Sequence, residues 1–325
     1  MEWYFAPMEG ITGYVYRNAH HQFYSGIACY YTPFIAPNQS RKLTSREMND
    51  ILPEHNQGMH VVPQILANRA EDFVWAARKI QELGYKEVNL NLGCPSGTVV
   101  SKNRGAGFLA FPLELNCFLE QVTGSLLQMG MRFSIKTRIG KRDRGEFEKL
   151  LEIFNQYPLE RLIIHPRLQT DFYRNHPDME IFQTAAERSR NPVCYNGDIF
   201  SEEDFQVFHK KFPQISFIMA GRGLLKDPAL AEKIVKDTKG GEDLTTLELQ
   251  RLKDFHHALL AGYQEAIPGD RNVLFKMKEL WTYLGSQFKG QERILKKIKK
   301  STQIRDYEEV TDQLFDGYLQ QLSYM

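Results

Sequence analysis

The chain has 325 residues, with 41 lysines and arginines against 40 aspartates and glutamates, a formal net charge of +1. That length exceeds one average domain and suits an α/β barrel, which takes about 250 residues, plus an appendage. With 42% hydrophobic and 12% aromatic residues the chain can fill a core, which excludes a disordered or histone-like polycationic protein but not a local basic face.

In chain order, short apolar, β-favouring runs at 3–7, 27–32, 60–65, 87–91, 132–137, 160–164, 192–195 and 215–219 predict eight strands. Amphipathic helical patterns lie between them at 69–83, 112–129, 145–156, 178–189, 201–211 and 224–236. Pro112 suits a first helical turn, and Ser201 with Asp204 resembles a capping box. This alternation predicts a parallel (β/α)8 TIM barrel over residues 1–240, with a doubly wound open sheet as the alternative. Gly240-Gly241 breaks the pattern. Residues 245–322 then show helical stretches at 247–265, 272–286 and 290–300 and no convincing strand, which predicts a small all-helical domain over 241–325.

Cys29, Cys94, Cys117 and Cys194 form no C-x-x-C pair, so a zinc or iron–sulfur site has no support and no metal is expected. The N-terminus lacks a charged segment followed by an apolar stretch, and no run approaches the roughly 18 apolar residues of a membrane span. A cytoplasmic, monomeric protein without a membrane partner is the expectation.

In such barrels the site forms at the carboxyl ends of the strands. The unusual residues of this chain fall there: Pro7-Met8-Glu9-Gly10, Gln64, Gly93-Cys94-Pro95, Lys136 and Arg138, His165-Pro166-Arg167, Asn196-Gly197-Asp198 and Gly221-Arg222-Gly223. A random scatter would leave about half at the opposite end. The last two loops read together as a phosphate cradle, with close backbone approach at the glycines, a following helix N-terminus, and charge from Arg222. Lys136 should point into the barrel mouth, where a buried ammonium needs an anionic partner. A reduced isoalloxazine would supply one, and Gln64 and His165 could bond the same group; a salt-bridged lysine and a satisfied core histidine are the plainer readings. Cys94 differs from the other cysteines because Gly93 and Pro95 set a tight turn around it. A thiol with an ordinary pKa of about 8.5 stays protonated at neutral pH and suits a general acid better than a nucleophile.

Pro7-Met8-Glu9-Gly10-Ile11-Thr12, Asn91-Leu92-Gly93-Cys94-Pro95, Lys136-Thr137-Arg138, His165-Pro166-Arg167, Asn196-Gly197-Asp198 and Gly221-Arg222-Gly223 together resemble the motif series of the tRNA-dihydrouridine synthases, in order and in spacing. The resemblance implies an FMN enzyme, reloaded by NADPH, that reduces the C5–C6 double bond of uridine in tRNA. Hydride would pass from flavin N5 to C6 and a proton from Cys94 to C5. It further implies FMN contacts at Pro7, Met8, Glu9, Gln64, Lys136, His165, Asn196, Gly197, Asp198, Gly221 and Arg222. Substrate contacts would fall at Asn91, which would hold the uracil edge, and at Lys102, Arg104, Arg138, Arg167 and Tyr173. Gly13 stands where the family usually has aspartate, and Pro166 where glycine is common. Both departures bear on the target position rather than on activity.

A uridine inside folded tRNA must be extruded to reach such a site, which calls for backbone clamping outside it. Arg271, Lys276, Lys278, Arg293, Lys296, Lys297, Lys299 and Lys300 supply a local basic excess for that purpose, against only Glu279 and Glu292 in the same segment. Two rival functions remain at this stage. One is a barrel reductase of a free small molecule, similar to dihydroorotate dehydrogenase. The other is a non-catalytic RNA-binding module.

Overall fold

A computed structural model describes residues 1–236 and 245–323, with side chains through residue 320. Nine strands are present: β1 (Glu2–Phe5), β2 (Ile27–Tyr31), β3 (Val61–Val62), β4 (Gln64–Ile65), β5 (Glu87–Leu92), β6 (Arg132–Arg138), β7 (Arg161–His165), β8 (Val193–Tyr195) and β9 (Phe217–Ala220). All pair in parallel, in the order β3-β2-β1-β9-β8-β7-β6-β5-β4. The ends of this series, β3 and β4, are the two halves of the run predicted at 60–65. Pro63 divides them because it has no N–H to give the ladder, yet its carbonyl still accepts from the Asn89 N–H at 2.9 Å. The sheet therefore closes on itself as an eight-stranded barrel; the open doubly wound alternative does not apply.

The two faces of each strand have separate fates. On β1, Trp3 and Phe5 join the large apolar layer beneath the helices, while Tyr4 and the following Ala6 join a smaller cluster inside the barrel with Cys29, Tyr31, Val62, Ile163, Cys194 and Met219. This is the period-two alternation of a strand buried on both sides. By the same parity Glu87, Asn89 and Asn91 on β5, and Ser134, Lys136 and Arg138 on β6, share the inner face, and the pairings Asn89↔Ser134 and Asn91↔Lys136 bring them side by side.

Helices Ala70–Glu82, Pro112–Gln128, Glu146–Phe154, Met179–Arg188 and Glu202–Lys211 cover the barrel much as the periodicity predicts. Pro112 opens its helix. Ser201 accepts from the Asp204 N–H at 3.2 Å, whereas the Asp204 carboxylate turns to the Phe200 N–H, so only half of a capping box forms. The helix expected at 224–236 is instead two short ones, Arg222–Lys226 and Leu230–Lys236, because Pro228 interrupts it. The Gly240-Gly241 boundary lies outside the described residues.

The C-terminal region is helical: Thr246–Ala266, Asp270–Leu284, Glu292–Lys300 and Ile304–Ser323. It docks on the barrel through rings and close contacts. Phe255 meets Tyr16, His20 and Tyr24, and a Cβ on Gly262 would lie 2.8 Å from Val15. Tyr263 donates to the Ile11 carbonyl, Lys276 to Gly10, and Gln287 to Lys226. These anchors lie in the segments that follow β1 and β9, so the helical region sits beside the barrel mouth. No described helix is long and apolar enough to cross a membrane.

Candidate active site

β5 leaves the barrel at Leu92, and the chain turns sharply because the Asn91 side-chain oxygen accepts from the Gly93 and Cys94 N–H groups at 3.0 and 2.9 Å. The Cys94 carbonyl accepts from Ala106 at 3.1 Å. Gly105 packs against this turn at a left-handed φ of +56°, and a Cβ there would lie 2.9 Å from the Cys94 oxygen, so no larger residue fits unstrained. The thiol is half-buried and unpaired. Burial pushes its pKa above the ordinary cysteine value and Glu9 pushes the same way, while the Ser96 N–H, Lys136 and Arg138 oppose them. The group is a thiol, not a thiolate, across the neutral range.

Behind it runs a continuous hydrogen-bonded ladder inside the barrel. Ser134 donates to Glu87 at 3.0 Å and receives from Asn89 at 3.0 Å; Gln64 donates to Asn89 at 2.7 Å; Asn91 donates to Gln64 at 2.6 Å. Asn91 then closes the turn that carries Cys94. The thiol is thus tied by side chains to the floor of the barrel. Glu87, Asn89 and Ser134 were missed in the sequence reading. Their trace there is a polar residue at every second position of the two strands.

Next to this turn opens a polar hollow of about 60 Å³ lined by Pro7, Met8, Lys136, His165, Asn196, Gly197, Asp198, Gly221 and Arg222, together with Tyr173 and Phe200. Wider hollows of about 310 and 590 Å³ lie elsewhere, but neither gathers the motif residues of so many strands. Lys136 has no hydrogen-bond or ion-pair partner among the described residues, and burial first, with Arg138 second, depresses its pKa to about 8. His165 is held neutral by burial and by four surrounding cations. Arg167 lies 3.0 Å from its Nε2, and a guanidinium can only donate, so the imidazole proton sits on Nδ1. Asp198 accepts from Arg167 at 2.5 Å and from Arg222 at 2.6 Å, and Arg222 lies over the Tyr173 ring at 4.6 Å. The backbone comes close at Gly197, where a Cβ would strike the Tyr195 hydroxyl, and at Gly221, where it would lie 3.2 Å from Ala6. The helix after Gly221 has only five residues, so the expected dipole contribution is small.

Nine of the eleven cofactor candidates therefore line one hollow, and two do not. Glu9 turns outward to Arg46 at 2.5 Å, and Gln64 is committed to the ladder. Among the substrate candidates, Asn91 shapes the Cys94 turn. Arg138 is fully buried and donates to the carbonyls of Gly93, Leu168 and Phe172, so it fastens loops together instead of facing a substrate. Arg167 is likewise 2% exposed, bound to Asp198, His165 and the carbonyls of Arg174 and Asn175. Tyr173 stands at the rim, 47% exposed, while Lys102 and Arg104 lie on the loop beyond Cys94. In the basic segment, Lys276 and Lys278 are turned inward onto the carbonyls of Gly10 and Ser301. Arg271, Arg293, Lys296, Lys297, Lys299 and Lys300 are exposed and form no ion pair among the described residues.

A family model described as Dihydrouridine synthase (Dus) matches residues 4–316. The chain belongs to the dihydrouridine synthase family. Relatives of this dihydrouridine synthase include tRNA-dihydrouridine synthase B of Vibrio parahaemolyticus, 23% identical over 269 residues that cover 81% of this chain and 78% of that protein. Probable tRNA-dihydrouridine synthase 1 of Synechocystis sp. is 24% identical over 314 residues, 95% of this chain and 84% of that one. The tRNA-dihydrouridine(16) synthase of Shewanella oneidensis is 25% identical over 248 residues, 74% of each chain. Among solved structures, morphinone reductase in complex with tetrahydroNAD aligns with a TM-score of 0.51 at 10% identity, covering 74% of this chain and 88% of that one. At that identity the likeness speaks for the barrel fold alone.

Proposed function

We propose that this dihydrouridine synthase, an oxidoreductase by family, reduces the C5–C6 double bond of uridine in tRNA, with FMN as its resident cofactor, NADPH as reductant and Cys94 as proton donor. The observation that carries the reading is a neutral thiol at the barrel mouth beside a hollow where the largely buried Lys136 has no carboxylate partner among the described residues. The charges that line the hollow support an anionic cofactor there. An uncompensated buried cation is costly unless an anion joins it, and Arg222 with Gly197 and Gly221 lines the side of the hollow where a phosphate would sit.

When bound, FMN supplies the hydride that reaches C6 of the uracil. Lys136 would hold the negative edge of the ring, and neutral His165 would offer its Nδ1 proton as a hydrogen bond. Arg222, pinned by Asp198, would hold the phosphate. The Cys94 Sγ gives its proton to C5, and water reprotonates it when product leaves. Asn91 keeps that thiol in place.

We assign catalysis to a barrel domain, residues 1–240, and tRNA binding to the helical domain, residues 241–325. The exposed unpaired cations of Glu292–Lys300 support the second assignment, and so favour tRNA over a free small molecule. A protein with this substrate and reductant would act in the cytoplasm as a single chain. Replacing Cys94 with alanine should leave the bound yellow chromophore and its reduction by NADPH unchanged, while uridine reduction falls by about 100-fold or more. Undiminished dihydrouridine formation in that variant would refute the proton-donor role.

A further inference from the structure

A second basic feature lies on the barrel itself, away from the helical region. The loops after β2, β4 and β5 enclose a groove on the mouth side whose lining includes Arg41, Arg69, Lys102 and Arg104 against one carboxylate, Asp72. The three loops are tied to one another. Asn68 donates to the Lys102 carbonyl at 3.1 Å, and Arg104 reaches the Asn68 side-chain oxygen and the Pro37 carbonyl at 3.4 Å each. Arg41 and Lys102 are exposed with no carboxylate partner among the described residues, and the Arg69–Glu71 pair is itself well exposed. In a chain of net charge +1, such a cluster is not general basicity.

Its position gives it meaning. Arg104 precedes Gly105, and Gly105 packs directly on the Cys94 backbone. The flavin hollow draws on the loops after β1, β7, β8 and β9, and the groove on those after β2, β4 and β5. The Cys94 turn lies between them. A nucleotide whose base reaches Cys94 therefore has a place for its neighbour's backbone on this side.

We propose that this groove binds a phosphodiester of the substrate RNA next to the target uridine, with Arg41 and Arg69 as positioning residues for the reduction. Cations supply the attraction, while the Asn68 amide holds the loops that carry them together. The strand is gripped on the barrel as well as on the helical face. This inference rests on the tRNA reading above.

The test uses the full flavin-loaded chain and unmodified tRNA, with binding and dihydrouridine formation both measured from low to moderate salt. Arg41→Glu/Arg69→Glu should weaken tRNA binding and raise the tRNA KM by about tenfold. The log–log salt slope should become shallower by about 1.5, since each lost phosphate contact removes about 0.7–0.9. The NADPH KM and the rate of flavin reduction should not move. Arg41→Gln/Arg69→Gln, which removes charge without reversing it, should give a smaller shift in the same direction and covers the case that the first variant folds poorly. Unchanged tRNA affinity and salt slope would overturn the groove, and so would a rise in NADPH KM alone, which would make it a dinucleotide site. Groove-dependent tRNA binding with no dihydrouridine formed by the parent protein would instead refute the functional reading and leave the groove standing.

Discussion

At the scale of single residues, two side chains carry opposite burdens. Lys136 is a cation held where burial disfavours its charge, with a pKa of about 8 against an unfolded value near 10.4. The unfolded chain therefore binds more protons between those values, and the cofactor-free protein should gain stability as pH rises through that window. An anionic ligand that needs the ammonium behaves in the reverse sense, so FMN affinity should fall as pH rises past about 8. Lys136→Met should raise the melting temperature of the FMN-free protein and weaken FMN binding at least tenfold, measurable by thermal unfolding and flavin fluorescence. Gln64 carries a different burden. Gln64→Leu leaves Asn89 and Asn91 each short of a partner in the barrel interior, which costs about 1–3 kcal/mol for each such group. Beyond lost stability, it should slow uridine reduction more than flavin reduction, because Asn91 holds the Cys94 turn. Equal slowing of both half-reactions would make the ladder merely structural.

At the scale of elements, the departure at Gly13 has a local answer. The helix Tyr14–Phe23 begins after a residue with no side chain to cap it, and Asp50 from another helix, Ser45–Ile51, accepts from the Tyr14 N–H at 2.7 Å instead. A Cβ at residue 13 would already lie 3.2 Å from that carboxylate. Gly13→Asp alone should therefore destabilise the protein, by bringing two carboxylates together, and Gly13→Asp/Asp50→Asn should recover part of the loss in thermal unfolding. The same scale shows what could be read from sequence. Strand positions and the motif loops at their ends follow from alternation and from turn residues, which are local. The ladder from Glu87 to Asn91 depends on register between strands, and local pattern carries no register. The break at Pro228 was visible as a proline within a helical pattern. Arg138 and Arg167 entered as substrate contacts through the family resemblance, which carries no information on what their guanidinium groups bond. Only the folded chain shows their guanidinium groups committed to backbone carbonyls and to Asp198.

At the scale of the whole molecule, the helical region and the barrel are joined by an aromatic contact centred on Phe255 and by hydrogen bonds to Ile11, Gly10 and Lys226. Cutting the helical region away would uncover that apolar contact, so charge substitution is the cleaner probe of RNA binding. Lys296→Glu/Lys300→Glu, on exposed positions of Glu292–Lys300, should weaken tRNA binding at least tenfold and flatten its salt dependence without touching NADPH oxidation. The inward turn of Lys276 and Lys278 explains why the basic face is smaller than the sequence suggests. The Lys276 ammonium helps dock the helical region on the barrel, and that of Lys278 ties two helices within the region.

The central claim is that a neutral Cys94 thiol completes the reduction. It is tested most directly by mixing pre-reduced enzyme with tRNA and following a single turnover of flavin reoxidation across pH. Burial raises the thiol pKa, so the proton-bearing form prevails at neutral pH and is lost only as pH climbs past the ordinary cysteine value of about 8.5. In the parent protein the rate should be level near neutrality and fall at high pH, and in Cys94→Ala it should be at least about 100-fold lower, without that fall. Identical rates and pH profiles in the two proteins would contradict that claim.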